Sequence, residues 1–189
     1  MRSWTESRTN ASADELWIVE HEPIYTVGLA GRAEHLPRGS VIPLAKVDRG
    51  GQITYHGPGQ AIVYCLVDLT RRGLTVTQLV RLLEQAAINA LAAYGVTAER
   101  RTGAPGVYVG DAKIAALGLR IRRGRSYHGI ALNVTNDLNP YDAIDPCGYP
   151  GLKVTRTSDL GIAATVQEFG EQIARGIARI VEESHGTRR

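Results

Sequence analysis

A chain of 189 residues is long enough to bury its own core, and one domain is the default at that length. Its 43% apolar and 22% charged residues are ordinary for a globular protein, and no apolar run approaches the ~20 residues that span a bilayer. A net charge of +3 is too mild to imply nucleic acid, and Cys65 and Cys147 are too few for a disulfide scaffold and lack zinc spacing.

The first fifteen residues are polar and include acids, so they do not read as a signal peptide. They are expected to be the end of a helix passing into a polar linker. A cytoplasmic protein with reduced thiols follows as the expectation, with no metal or other cofactor and neither membrane nor nucleic acid as partner. The arginines cluster at 71–72, at 100–101 and at Arg120, Arg122, Arg123 and Arg125, which suits an acidic partner.

Residues 16–20 read as a strand, 23–28 as a turn and a second short strand, and 29–40 as loop. The run 61–69 is apolar at both parities, as in a central strand covered on both faces, and Cys65 inside it reads as a small buried hydrophobe. Between the apolar runs 41–47 and 61–69 lies the segment 49–60, with four glycines and a proline. Such density points to a loop that lets a backbone approach a ligand closely. Arg49 and His56 supply an anion-pairing group and a proton-transfer group, and no phosphate-binding P-loop motif occurs.

Thr75 with Gln78 forms a capping box, followed by Val76, Leu79, Val80, Leu83, Ala87, Ala90, Leu91 and Tyr94 on one helix face, with Gly95 as the stop. Thr165 with Glu168 opens a second helix striped by Val166, Phe169, Ile173, Ile177 and Ile180. Between the helices, 107–109, 113–122 and 126–134 read as consecutive antiparallel strands with turns at 110–111 and 123–125. Side chains alternate along a strand. Lys113 therefore shares the buried side of Leu117, Leu119 and Ile121, and His128 that of Ile130, Leu132 and Val134. Two titratable groups facing inward from neighbouring strands mark a candidate site.

Residues 135–161 are rich in turn formers, and Cys147 stands there between Pro146 and Gly148. It is either a reactive nucleophile or an inert loop thiol. With Lys113, His56, His128 and Arg49, a nucleophilic Cys147 would perform acyl transfer: a cation favours the thiolate and backbone donors hold the oxyanion.

Five stretches, in order, resemble the lipoyl(octanoyl) transferases of the biotin/lipoate protein ligase superfamily. They are Arg49-Gly50-Gly51-Gln52-Ile53-Thr54-Tyr55-His56 continuing to Gln60, Pro105 to Val109, Lys113 to Ile121, His128 to Asn133, and Asn139-Pro140 through Pro146-Cys147-Gly148. The likeness runs over residues 16–161. It implies an α+β fold, a mixed β-sheet flanked by helices, and a single catalytic domain over 1–189. The first fifteen residues would be a polar segment shortened relative to the family, with a sheet edge left exposed. It implies transfer of an octanoyl group from acyl carrier protein to a lysine of lipoyl domains, those of 2-oxoacid dehydrogenase complexes and the glycine cleavage H protein.

By position, Cys147 matches the family's acyl-thioester nucleophile and Lys113 the lysine that lowers its pKa. The loop from Arg49 to His56, the segment Ala116-Leu117-Gly118 and the segment Gly129-Ile130-Ala131 match the stretches lining the acyl site. In that role the glycines admit the acyl chain, and Leu117 and Ile130 offer apolar contact. An ATP-dependent lipoate or biotin protein ligase shares the implied fold and a similar lysine. It adenylates a free acid and needs no cysteine nucleophile, so Cys147 favours the transferase. A non-catalytic binder of acyl-carrier or lipoyl domains is the third reading, and the complete motif set speaks against it.

Overall fold

In chain order the elements are α1 (Arg2–Ser7), β1 (Glu15–Val19), β2 (Ile24–Val27), β3 (Leu44–Lys46), β4 (Ile53–His56), β5 (Gln60–Leu66), α2 (Leu69–Arg72), α3 (Val76–Ala92), β6 (Val107–Val109), β7 (Ala112–Arg122), β8 (Arg125–Asn133) and α4 (Val166–Gly186). The computed structural model describes residues 1–37, 39–146 and 151–186, with side chains as far as residue 182. The larger sheet has the order β1-β5-β8-β7-β6 and is antiparallel throughout. A smaller sheet, β3-β2-β4, contains the parallel pair β2/β3 that makes the architecture mixed.

Both capping boxes form. Thr75 and Gln78 exchange backbone-to-side-chain hydrogen bonds of 2.8 and 3.2 Å at the start of α3. Thr165 and Glu168 do the same at 2.7 and 3.2 Å before α4. Each pair satisfies amides that the first helical turn leaves open. The apolar stripes then dock the helices side by side on one face of the large sheet. Leu79, Leu83, Leu91, Phe169, Ile173 and Ile177 meet Val63, Cys65, Ile114, Ile130 and Leu132 there. Val76 and Tyr94, assigned to the same stripe, are exposed because they sit in the first turn and beyond the last. β5 is central as expected, paired on both edges.

The turn read at 123–125 is shorter in the structure. Arg123 and Gly124 alone form it, with φ of 50° and 76°, the two-residue geometry whose twist matches antiparallel strands. Arg125 instead pairs with Arg122 in the ladder and is buried against Asp68 at 3.0 Å. The segment before β1 is likewise no loose linker. Asp14 gathers Arg8 (3.0 Å), Arg71 (2.6 Å), Arg72 (2.7 Å) and the Asp68 amide (2.8 Å). Burial works against its charge, but these donors hold the carboxyl below the usual range.

Candidate functional site

A cavity of about 250 Å³ lies between the two sheets. Its floor is the large-sheet face opposite the helices. Strand register sets Ile62, Ala131 and Ala116 in one row and Tyr64, Gly129 and Gly118 in the next. Its roof comes from Ile24 and Thr26 of β2, Ala45 of β3, and Ile53, Thr54 and His56 of β4, with Arg49, Gly51 and Gln52 at the side. All the residues assigned to the acyl site line this cavity except Gly50 and Tyr55, which stand behind the wall. The Gly50 amide donates to the Leu119 carbonyl at 2.8 Å, and the Tyr55 ring packs between Tyr25 and Tyr141.

Leu117 and Ile130 reach the cavity through their backbone. Their side chains belong to the helix-side core, so the expected apolar contact comes instead from Ile24, Ile53, Ile62, Ala116 and Ala131. Gly118 is required by close approach. A Cβ there would lie 2.9 Å from the Gly50 oxygen and 3.1 Å from the Arg49 Cδ. The loop carrying Arg49 can therefore rest directly on β7. Arg49 stitches that loop to β2, donating to the Thr26 carbonyl at 2.6 Å and its hydroxyl at 2.8 Å.

One part of the wall is polar: His21, His56, Tyr64 and His128. The Tyr64 hydroxyl and His21 Nε2 share a short hydrogen bond. His56 Nδ1 lies 3.1 Å from Gln60 Oε1. The Gln60 amide nitrogen donates to the Tyr55 carbonyl, Asn133 Oδ1 and the Tyr141 hydroxyl, which fixes Oε1 as the acceptor and leaves the proton on His56 Nδ1. Burial pushes the His56 imidazole down to about 4, with Arg49 adding to the effect against the opposing Gln60 bond. Burial lowers His21 and His128 as well. The cluster is thus neutral at physiological pH.

His128 breaks the parity read from the sequence. Its φ is +63°, and the ring stacks on the preceding Tyr127 with centroids 5.1 Å apart. Both side chains bind Asp48, His128 Nε2 at 3.0 Å from Oδ1 and the Tyr127 hydroxyl donating to Oδ2. Those two bonds hold the Asp48 carboxyl below its ordinary range, although burial works the other way. The turned backbone puts His128 on the cavity face, away from the helix-side core that alternation assigned to it.

Lys113 is buried, but not on the helix side that alternation assigned to it. A register shift against β6 adds a residue at Ile114 and sets Lys113 opposite Tyr108, on the face of Ala116 and Asn133. The Lys113 ammonium lies 5.4 Å from the Tyr108 ring centroid. Gly106 makes the space: a Cβ there would stand 2.3 Å from Lys113 Cε and 3.0 Å from Nζ. The Gly106 amide is anchored on buried Glu84 at 2.9 Å, and Glu84 in turn meets Arg100 at 3.2 Å. Residues 153–155 join β7 at this point. The Lys113 amide donates to the Lys153 carbonyl at 2.8 Å, and the Thr155 amide to the Lys113 carbonyl at 3.0 Å. A small crevice holds Lys113 together with Thr54, Ala116, Asn133 and Pro146. Thr54 and Ala116 also wall the main cavity, so the two spaces adjoin. Cys147, next after Pro146, lies outside the described residues.

Lys113 and His128 do not come together. Lys113 is six residues along β7 from Leu119, the partner of His128, or ~20 Å at the usual strand rise. Cys65 behaves as the sequence indicated: fully buried, its thiol pushed up to about 12 by burial. The arginine cluster is partly consumed within the fold. Arg125 serves Asp68 and Asn10, and Arg122 serves Glu6, while Arg120 and Arg123 are exposed. Sequence reasoning missed Asp48, His21, Tyr64 and Gly106 as site residues. A tyrosine interrupting an aliphatic central strand was the available signal for Tyr64.

The model of the lipoyl protein ligase A/B catalytic domain matches residues 2–178. The octanoyltransferase of Dechloromonas aromatica (strain RCB) is 57% identical over 186 residues, covering 98% of this chain and 91% of its own length. That of Aromatoleum aromaticum is 58% identical over 181 residues, covering 96% and 78%. Among solved structures, a bi-partite lipoate protein ligase from Thermoplasma acidophilum superposes with a TM-score of 0.78 at 18% identity, over 96% of this chain and 76% of that one. That last likeness is one of fold.

Proposed function

The chain belongs to the lipoyl protein ligase A/B catalytic-domain family, and from that premise we propose that it is an octanoyltransferase working through a thioester on Cys147. The donor is octanoyl-acyl carrier protein, and the acceptor is a lysine of lipoyl domains in 2-oxoacid dehydrogenase complexes and the glycine cleavage H protein. The observation that carries this reading is the junction of an apolar cavity with the Lys113 crevice, at Thr54 and Ala116, where Pro146 leads into Cys147.

The chemistry runs in two exchanges. The Cys147 thiolate attacks the donor's thioester carbonyl, the carrier's thiol departs, and the acyl chain lies along the cavity. The acceptor amine then attacks the Cys147 thioester, loses its proton to a base and releases the thiol. A free thiol with a pKa of about 8.5 is only slightly ionised at neutral pH, and a buried ammonium beside it favours the thiolate. Lys113 fills that role. Once the sulfur is acylated, Lys113 can deprotonate the incoming amine. Arg120 and Arg123 offer exposed positive charge to an acidic carrier.

The test is the pH profile of Cys147 alkylation by iodoacetamide in a Cys65→Ala background. The parent should react at lower pH than its Lys113→Met derivative, and octanoyl transfer should proceed without ATP. Superimposable profiles would remove Lys113 from the mechanism, and a requirement for ATP would move the protein to the ligases.

A further inference from the structure

We infer that His128, turned onto the cavity face and held there by Asp48, is the end wall of the acyl cavity and sets the length of chain the enzyme transfers. The inference rests on the octanoyltransferase reading and adds the residue that measures the substrate.

The register gives the ruler. The reactive crevice joins the cavity at Ala116, in the row Ile62–Ala131–Ala116. The next row on that face is Tyr64–Gly129–Gly118, and the lining of β5, β7 and β8 stops with Tyr64, Gly118 and His128. Ala116 to Leu119, the ladder partner of His128, is three residues, or ~10 Å at the usual strand rise. An extended eight-carbon chain measures ~9 Å, taking ~1.5 Å carbon–carbon bonds projected on the chain axis. The two lengths agree to within one methylene.

The wall is built against the local preference of the strand. A non-glycine residue with φ near +60° is uncommon and persists only where its surroundings fix it. Here the surroundings are Asp48, which takes His128 at 3.0 Å and the Tyr127 hydroxyl on its other oxygen, and Tyr64, whose ring meets His128 edge-on at 6.3 Å. Without the turn the side chain would point to the helix-side core, leaving the cavity face at this end to Tyr127 alone. A longer chain would have to displace polar groups already bonded to one another, His21 to Tyr64 and His128 to Asp48. Asp48 touches no substrate in this scheme and acts as a positioning residue through His128.

The experiment compares kcat/KM for octanoyl-, decanoyl- and dodecanoyl-acyl carrier protein in the full chain. Wild type should favour octanoyl over dodecanoyl by at least about tenfold. His128→Gly accepts the positive φ and removes the wall, so the ratio should fall to about threefold or less. His128→Asn also tolerates that backbone and keeps a shorter side chain, so it should fall between the two. Asp48→Asn, which loosens the ring but leaves it present, should relax the ratio while a general loss of folding would lower all three substrates together. An unchanged ratio in an active His128→Gly protein would overturn the ruler and leave the octanoyltransferase reading intact. Absence of transfer by wild type from any of the three thioesters would overturn the reading beneath it.

Discussion

The two faces of the five-stranded sheet are made by the same strands and do different work. On one face Val63, Cys65, Ile130 and Leu132 meet α3 and α4 in a closely packed core. On the other, Ile62, Ala116, Gly118, Gly129 and Ala131 are mostly small and leave a cavity of about 250 Å³ under the second sheet. Tyr64 and His128 bring polar atoms to this face, and His56 faces them from the roof. The contrast shows how one alternating pattern packs one face and leaves a cavity on the other. A thiol on the helix face is pushed up to about 12 by burial, which keeps it protonated at neutral pH. A lysine where β7 leaves the helices sits beside the cavity, in space that Gly106 vacates.

Truncation on the helix face should carry the largest cost. Phe169 is fully buried between α4 and the sheet and contacts Tyr94 at 5.1 Å. Phe169→Ala should cost about 3–5 kcal/mol by lost burial and the cavity left behind. Urea titration measures it, and the ratio of acyl-chain lengths should not move. A loss below about 1 kcal/mol would show that the helix layer is not the main source of stability.

Acid should act through the cavity face. His56 is held at about 4 against an ordinary 6.5, so the unfolded chain binds a proton that the native chain refuses between those values. Stability is therefore intact above about pH 6.5 and falls as pH drops toward 4, by about 3 kcal/mol at most from this one group. His21 and His128 are shifted in the same direction and add to the fall. His56→Gln should flatten the part of the profile between pH 6.5 and 4. An identical profile in that variant would place the acid sensitivity elsewhere.

A change at the junction of loop and strand should be smaller in stability and plain in activity. In Gly118→Ala the new Cβ meets the Gly50 oxygen at 2.9 Å, so the Arg49 loop must move off β7. Overpacking of this kind costs about 1–3 kcal/mol. Octanoyl transfer should fall at least about tenfold, since Arg49 and Gly51 form the side of the cavity. Full activity with unchanged stability would show that the loop adapts without consequence.

Much of this division was legible in the sequence. Alternation along 113–122 and 126–134 placed β7 and β8, and capping boxes placed both long helices. The glycines of 49–60 marked the segment that walls the cavity, although Ile53–His56 within it is strand β4 and not loop. What escaped notice depended on contacts distant in the chain. Asp48 acquires its role only when Tyr127 and His128, some eighty residues on, fold over it. His128 defeated the parity argument because one positive φ moves a side chain to the other face, and alternation assumes regular backbone. Of the small sheet only β2 was read, within 23–28; β3 and β4, of three and four residues, are too short to show a period. Asp14 looked like part of a linker, yet collects three arginines that arrive from both sides of the sequence.

The central claim, that chemistry resides on Cys147 and not on Cys65, meets its most direct test in the intact mass after incubation with octanoyl-acyl carrier protein. Wild type and Cys65→Ala should each gain one octanoyl group, and a lipoyl domain added afterwards should take it away. Cys147→Ala should gain nothing. An octanoyl adduct on the Cys147→Ala protein, or its absence from wild type, would contradict the account.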